Sequence, residues 1–365
     1  MLNHDLIGAR EEDLPTPALI VDLDILEANL ERLAARFAGT GLRFRPHAKA
    51  HKCVEIARRQ IALGAVGICC QTVAEVEAFA AGGISDILLT NEITDPAKIT
   101  RLAAIPEGVR IGICVDSVLH LQLIADAIWT RPIDLYIEVD VGGGRCGTAD
   151  PQAALALARE AERLGLTLAG LQAYNGKAQH LRDPAERQRV VETTAATTRN
   201  YVQTLSDAGF PPVVVSGAGT GTVDLDLQLG ALNEFQCGTY ALMDVDYLAI
   251  DPSGDADRYA PALTVLASVI SAAPGRAVID AGLKSFALDS GMPVPRDLPG
   301  VTYGNASDEH GILRNVDSQP LPAIGTHVHL IPDHCDPTIA LYERIHAVRD
   351  GLVEEVWPIV ARGKW

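Results

Sequence analysis

The stretch RPHAKAHKC, Arg45–Cys53, sets two histidines and two lysines within nine residues of a chain whose formal net charge is −17. Neighbouring positive charge disfavours the ammonium form of an amine. Lys49 lies in the middle, flanked by Arg45, His47, His51 and Lys52, and a neutral lysine is a nucleophile toward carbonyl groups. The plain alternative is a solvated basic face; Lys52 fits the first turn of a following helix, and His51 fits either use. A second stretch, SGAGTGT from Ser216 to Thr222, offers backbone N–H groups that glycine lets an anion approach, although a flexible turn uses the same residues. A third, HCDPT, puts His334 and Asp336 two residues apart, and a lone His-x-Asp pair is weak evidence for a metal.

With 365 residues, 48% of them hydrophobic, the chain can bury a large core and has the length of a barrel with an additional domain. Its acidity argues against a nucleic-acid partner, because a phosphate groove needs a basic surface. The N-terminal MLNHDLIGAREEDL lacks the basic start and apolar centre of a signal peptide, and no apolar run approaches bilayer length, so a cytoplasmic protein with no membrane partner is expected. The seven cysteines are odd in number and mostly sit in apolar runs such as VGICC and IGICV, the usual setting of reduced core thiols. Cys69 and Cys70 are read as core residues.

Positioning these residues requires a frame. Leu26, Leu30, Leu33 and Phe37 recur at helical spacing, with Asp24 as a cap and Gly39 as a stop. Strand-like runs follow at Leu42–Arg45, Val66–Cys70, Ile87–Thr90, Val109–Val115, Ile133–Val139, Leu168–Ala173, Pro212–Val215 and Glu234–Cys237. Helical stretches separate most of them, one opened by the box Thr72-x-x-Glu75 and one running from Asp183 to about Ala208. Eight parallel strands each followed by a helix make a TIM (β/α)8 barrel, an α/β fold. The run Ala18–Val21 is left over, and beyond about Pro261 short β-like runs alternate with Gly and Pro turns. The expected division is a barrel over 22–258 and a C-terminal β-rich domain over 259–365 that takes in 1–21.

Active sites of such barrels lie beyond the C-terminal ends of the strands. There the sequence places His47 and Lys49, Gln71, Asn91 and Glu92, Asp116, GGGRCG with Arg145, Tyr174 with His180 nearby, SGAGTGT with Ser216, and finally Gly238, Thr239 and Tyr240. The loops after strands seven and eight are where barrels of this type most often hold phosphate. A lysine at the mouth beside a phosphate cradle suggests a phosphorylated carbonyl cofactor held as a Schiff base, of which pyridoxal 5'-phosphate is the obvious case.

Taken in order, RPHAKAHKC, VDVGGGRCG, LQAYNGKAQH, SGAGTGT, FQCGTYALMD, DEHG and HCDPT resemble the D-threonine aldolase and hydroxyaspartate aldolase group of alanine racemase-like pyridoxal phosphate enzymes, which is related to D-serine dehydratase. The resemblance runs through to VRDGLVEEVWPIVARGK. It implies that Lys49 carries the Schiff base, that Arg145 lies near the phenolic oxygen, and that Tyr174 and Gln236 support the ring. Gly219, Thr220, Gly238 and Thr239 would take the phosphate, with His47, Gln71, Ser216 and Tyr240 as further cofactor contacts. Gln236 stands where racemases of this fold have arginine near the pyridine nitrogen, so that nitrogen would be less protonated. His334 and Asp336 would bind a divalent metal, Mn²⁺ or Mg²⁺ by donor type. Dehydratase relatives have cysteine in place of Asp336; here Cys335 is one position off and, in an extended segment, would point away. Asp308, Glu309 and His310 form a further family-like stretch that a surface turn explains equally.

The reaction this implies is retro-aldol cleavage of a D-3-hydroxy amino acid to glycine and an aldehyde, with the metal acidifying the β-hydroxyl and His180 or a metal-bound water as base. Other readings are a 3-hydroxyaspartate aldolase releasing glyoxylate, a D-serine or hydroxyaspartate dehydratase, a non-catalytic pyridoxal phosphate carrier, and a metal hydrolase using His47 and His51. Lys177 stands where a small residue is expected and would favour an acidic substrate side chain, unless it simply faces solvent. A homodimer is expected by analogy.

Overall fold

The computed structural model describes residues 6–250, 259–316 and 320–364. Strand β1, Ala18–Asp22, leads into the helix Leu23–Phe37, whose Leu26, Leu30, Leu33 and Phe37 are buried as their spacing requires. The cap is Asp22, whose Oδ1 accepts the Ile25 N–H at 3.1 Å, and not Asp24. A capping carboxylate must stand one residue outside the helix to reach the third amide, and Asp24 already lies in the first turn.

The barrel strands are β2 (Arg43–Phe44), β3 (Ile68–Cys70), β4 (Asp86–Leu89), β5 (Arg110–Val115), β6 (Asp134–Glu138), β7 (Thr167–Ala173), β8 (Val214–Gly217) and β9 (Glu234–Phe235). They pair in parallel in the order β2-β9-β8-β7-β6-β5-β4-β3. The ends meet through Val66 N–H to Phe44 O at 3.0 Å and Cys69 N–H to Pro46 O at 2.8 Å, which closes the eight-stranded barrel read from the sequence. Their burial is continuous because both faces are covered. The last strand but one is shifted from Pro212–Val215 to Val214–Gly217, since Pro212 cannot donate to a ladder and Val213 is exposed. Thr72 and Glu75 form the expected capping box, and Asp183 caps the helix Pro184–Asp207. Among the described residues all seven cysteines are free, and Cys69 and Cys70 are fully buried.

Inside the barrel Arg45 is almost wholly buried. Its guanidinium donates to Asp86 Oδ1 at 2.5 Å and to Glu234 Oε1 at 3.1 Å, while Arg43 reaches Glu234 Oε2 at 2.6 Å. Burial pushes the Glu234 carboxyl up, but the two guanidinium groups outweigh it and hold the pKa below the usual value. This corrects the expectation that Arg45 eases deprotonation of Lys49, because its charge is already met by two carboxylates. Lys52 and His51 are also not the first turn of the next helix, which starts at Val54. Lys52 has φ +47°, outside the helical region, and His51 is fully buried with Nδ1 accepting the Cys53 N–H at 3.1 Å.

The chain divides into two compact units, one comprising the described parts of Met1–Leu33, Ala50–Glu55 and Thr239–Gly363, the other Ala34–Lys49, Ile56–Gly238 and the C-terminal Lys364. The first unit is built on β1 with β10 (Leu263–Ala273), β11 (Arg276–Ile279), β12 (Val294–Pro295), β13 (Val301–Ala306), β14 (Gly311–Asn315), β15 (His327–Ile331), β16 (Arg344–Arg349) and β17 (Leu352–Pro358). Its main path runs β13-β14-β11-β10-β1-β16-β17, with β15 joining β10 to β12. β1 is antiparallel to β10 and parallel to β16. Asp308–His310 lies in the turn between β13 and β14, where Lys284 pairs with Glu309 at 2.6 Å, so this stretch is a surface turn. No helix among the described residues is long and apolar enough to cross a membrane.

Replacing Arg45 by alanine strands Glu234 and Asp86 without their shared cation. The expected result is a loss of about 3–5 kcal/mol, read as a lower urea midpoint for unfolding of the barrel.

Candidate active site

Lys49 lies on a single 3-10 turn, Ala48–Ala50, at the mouth of β2. His47 shapes that turn: its Nδ1 accepts the Lys49 N–H at 3.4 Å, so Nε2 carries the hydrogen and lies 3.0 Å from Thr90 Oγ1 and 3.2 Å from Gln71 Oε1. Both ring nitrogens are therefore engaged with protein, and the hydrolase reading loses His47 as a metal ligand. Gln71 is itself anchored, its side chain donating to Thr90 O at 3.2 Å and its N–H to Glu75 Oε2 at 2.6 Å.

Past β6 the GGGRCG loop folds back on its own strand, with Asp140 N–H to Thr148 O at 3.0 Å and Thr148 N–H to Glu138 O at 2.9 Å. A Cβ on Gly147 would sit 2.6 Å from Asp140 N, so glycine is required there, with φ +107°. The fold-back carries Arg145 over the Tyr174 ring, 5.8 Å from its centroid, and sets Arg145 Nη2 3.7 Å from Glu138 Oε1. Asp140, Arg145, Tyr174 and Lys177 line a cleft of about 160 Å³. Lys177 and His180 bound the 3-10 turn after β7, and both are exposed.

The SGAGTGT loop is held by Gln179, which is buried. Gln179 Oε1 accepts the Gly221 N–H at 3.0 Å, and its Nε2 donates to Thr222 Oγ1 at 2.9 Å. Side chains at Gly219 or Gly221 would run into Gln179, the latter into its backbone oxygen at 2.5 Å. β8 and β9 are paired neighbours, so the loops beyond them emerge together. Among the described residues the N–H groups of Gly219 and Gly238 have no hydrogen-bond partner. Two such amides in glycine backbone, with no room for a side chain at Gly219, fit a phosphate, and with Lys49 on its turn this unit fits pyridoxal phosphate.

Gln236 and Ser216 are committed elsewhere. Gln236 Nε2 donates to Gln172 Oε1 at 2.6 Å and to Ser216 Oγ at 2.7 Å, and Ser216 Oγ donates to Glu234 Oε1 at 2.9 Å. Both amide hydrogens of Gln236 are used, and its Oε1 accepts the Gln172 Nε2 hydrogen at 3.1 Å, so the whole amide is engaged inside the barrel. Ser216 belongs to this internal chain and not to the phosphate loop.

The other unit carries Thr239 and Tyr240 on the turn Thr239–Ala241, both buried, with the Tyr240 ring edge-on to Tyr259. It also carries the HCDPT segment. That segment is a short helix, Cys335–Ile339, and not extended as expected, because Asp244 Oδ2 accepts the Cys335 N–H at 3.0 Å and anchors its first turn. Cys335 is nonetheless sealed from solvent, and burial pushes its thiol well above the ordinary value. His334 Nδ1 lies 2.7 Å from Asp289 Oδ2. A hydrogen on Nδ1 donates to that carboxylate and leaves Nε2 as the bare nitrogen, the arrangement that orients a metal-ligating histidine. Nε2 with the Asp336 carboxylate is a nitrogen and oxygen donor set that fits Mn²⁺ or Mg²⁺. Glu138, Gln179, Asp244 and Asp289 escaped the sequence reading; Glu138, an acid inside an apolar strand run, is the one that carried a visible signal.

Residues 21–245 match the family described as alanine racemase, N-terminal domain, and 262–348 one described as putative serine dehydratase domain. A D-threonine aldolase from Arthrobacter sp is 44% identical over 352 residues, 95% of this chain and 93% of that protein. The chain belongs to the alanine racemase N-terminal domain family, in its D-threonine aldolase group. Another member of that group, the 3-hydroxy-D-aspartate aldolase of Paracoccus denitrificans (strain Pd 1222), is 41% identical across 98% of this chain and 95% of its own length. The crystal structure of D-threonine aldolase from Filomicrobium marinum superposes with TM-score 0.94 at 41% identity, covering 98% of each chain.

In this member of the group the glycine loop has a direct test. Gly221→Ala forces its Cβ against the Gln179 carbonyl, a strain of about 1–3 kcal/mol, and is expected to weaken pyridoxal phosphate binding about tenfold in a fluorescence titration. Gly108→Ala, with open space around it, serves as the control and leaves binding unchanged.

Proposed function

We propose that this chain is a pyridoxal phosphate- and divalent-metal-dependent aldolase that cleaves D-3-hydroxy amino acids, D-threonine among them, to glycine and an aldehyde. The observation that carries the reading is Lys49 held on a turn by His47 in the unit that also presents the Gly219 and Gly238 amides. Lys49 would hold the cofactor's carbonyl carbon, Gly219, Thr220, Gly238 and Thr239 its phosphate, and Arg145 its phenolic oxygen, while His334 and Asp336 would hold the metal. When bound, the cofactor supplies a sink for the electrons of the Cα–Cβ bond and the metal a Lewis acid for the β-oxygen.

The residues themselves hold and move protons. His180, exposed at the end of its turn, takes the β-hydroxyl proton. Gln236, with both amide hydrogens spent inside the barrel, donates none to the pyridine nitrogen. Asp289 keeps the hydrogen of His334 on Nδ1 and so its Nε2 lone pair available. Aspartate at 336, beside a cysteine buried as a neutral thiol, favours aldol cleavage over the dehydratase reading.

A second substrate, 3-hydroxyaspartate yielding glycine and glyoxylate, is favoured by Lys177, which stands beside Arg145 at the cleft and adds a second cation there. A homodimer in the cytoplasm goes with the proposal.

The test offers D-threonine, D-3-hydroxyaspartate, D-serine and D-alanine with Mn²⁺ or with EDTA. Glycine plus an aldehyde or glyoxylate, lost with EDTA and with Asp336→Ala, is the expected outcome; ammonia plus a keto acid would establish the dehydratase instead. Borohydride reduction followed by peptide mapping should label Lys49, and a label elsewhere, or none, overturns the cofactor assignment.

A further inference from the structure

We propose that Glu92 and Glu138 share a single proton and present one negative charge to Arg145, so that the pair acts as the positioning group for the Arg145 guanidinium. This goes beyond the aldolase reading and depends on it only in taking Arg145 as a site residue. Glu138 ends β6 and is 3% exposed, and Glu92 follows β4. One oxygen from each carboxyl and the Cys146 sulfur all lie within 4.8 Å of one another. Glu138 Oε2 and Glu92 Oε1 are both sealed from solvent, and among the described residues neither receives a hydrogen from the protein.

Two carboxyl groups this close, each with an oxygen sealed from water and met by no donor, disfavour a second ionisation, and the hydrogen that can serve them is one carried by the pair. Burial first, and then the Glu92 charge, push Glu138 up to about 8, against the opposing pull of Arg145. The other oxygen, Oε1, faces Arg145 Nη2 at 3.7 Å. Glu138 thus turns one oxygen to the shared proton and the other to the guanidinium.

The remaining groups around the pair leave that balance intact. Asp116, after β5, accepts the Gly147 N–H at 3.0 Å and lies 3.2 Å from His120 Nδ1. Cys114 on β5 and Cys146 in the loop stay thiols, the first pushed well above its ordinary value and the second to about 11, in each case by burial before charge. A divalent cation at this place would have to displace the proton, ionise Cys146 and tolerate Arg145. Below about pH 8 the pair carries one charge against one guanidinium; above it, two.

The experiment is a pH titration of cofactor-free protein labelled with ¹³C in the glutamate carboxyls, followed by NMR for the wild type, Glu92→Gln and Glu138→Gln. The wild type should show one carboxyl titrating near pH 8; that step should move to lower pH in Glu92→Gln, where the neighbouring charge is gone and burial remains, and vanish in Glu138→Gln. On reloading, the bound cofactor's absorbance should follow the same alkaline step in the wild type, shift with it in Glu92→Gln and lose it in Glu138→Gln, which should also weaken cofactor binding about tenfold. Two glutamates titrating in the ordinary range in the wild type would overturn the proposal, and this holds even if a variant fails to fold. So would one equivalent of divalent cation retained by the Asp336→Ala protein and lost with Glu138→Gln.

Discussion

Everything at the mouth of the barrel stands on a buried guanidinium. Arg45 extends from the end of β2 into the interior and binds a carboxylate on β9 and another on β4, tying three strands that are far apart in the chain. A charge taken out of water in this way contributes little net stability, since desolvation cancels most of the attraction. What it supplies is register. β2 and β9 are only two residues long, too short for a ladder to specify their alignment, and the shared Glu234 does so instead. The chain of bonds continues through Ser216 and Gln236 to Gln172 on β7. The rigid ring from which Lys49, Arg145 and the glycine loop project is thus held by polar contacts along its axis.

A net charge of −17 would repel an anionic cofactor, and the barrel meets this without a basic surface. Backbone N–H groups carry no proton to lose and no counter-ion to displace, and Gln179 keeps them aimed by filling the space a side chain would take. Arg145 brings the local positive charge, balanced by an acidic pair beneath it. The same economy of charge appears in the other unit, where Asp289 is held below its usual range by His334, whose bond and charge outweigh the effect of burial.

Much of this was legible in the order of residues. The eight strands, the capping box at Thr72, the long helix beginning at Asp183 and the burial of Cys69 and Cys70 follow from patterns only a few residues long, whose physics is local. What went astray depended on a partner remote in the chain. Asp24 satisfies the local rule for a cap, yet Asp22 is the residue left outside the helix once β1 is committed to its sheet. HCDPT looks extended until Asp244, ninety-one residues earlier, seizes the Cys335 amide. Arg45 counts as a cation near Lys49 in the sequence, but Glu234 and Asp86 neutralise it in the fold.

By itself, then, the sequence determined the class of fold, the identity of the chemically able residues and the strand ends at which they emerge, because alternation, capping and glycine placement act over a turn or two of chain. Tertiary structure alone decided which of those residues are spent on one another. Hydrogen-bond capacity and charge are finite, and whether the nitrogens of His47, the amide of Gln236 or the carboxyl of Glu138 remain for a ligand depends on neighbours brought in from distant strands.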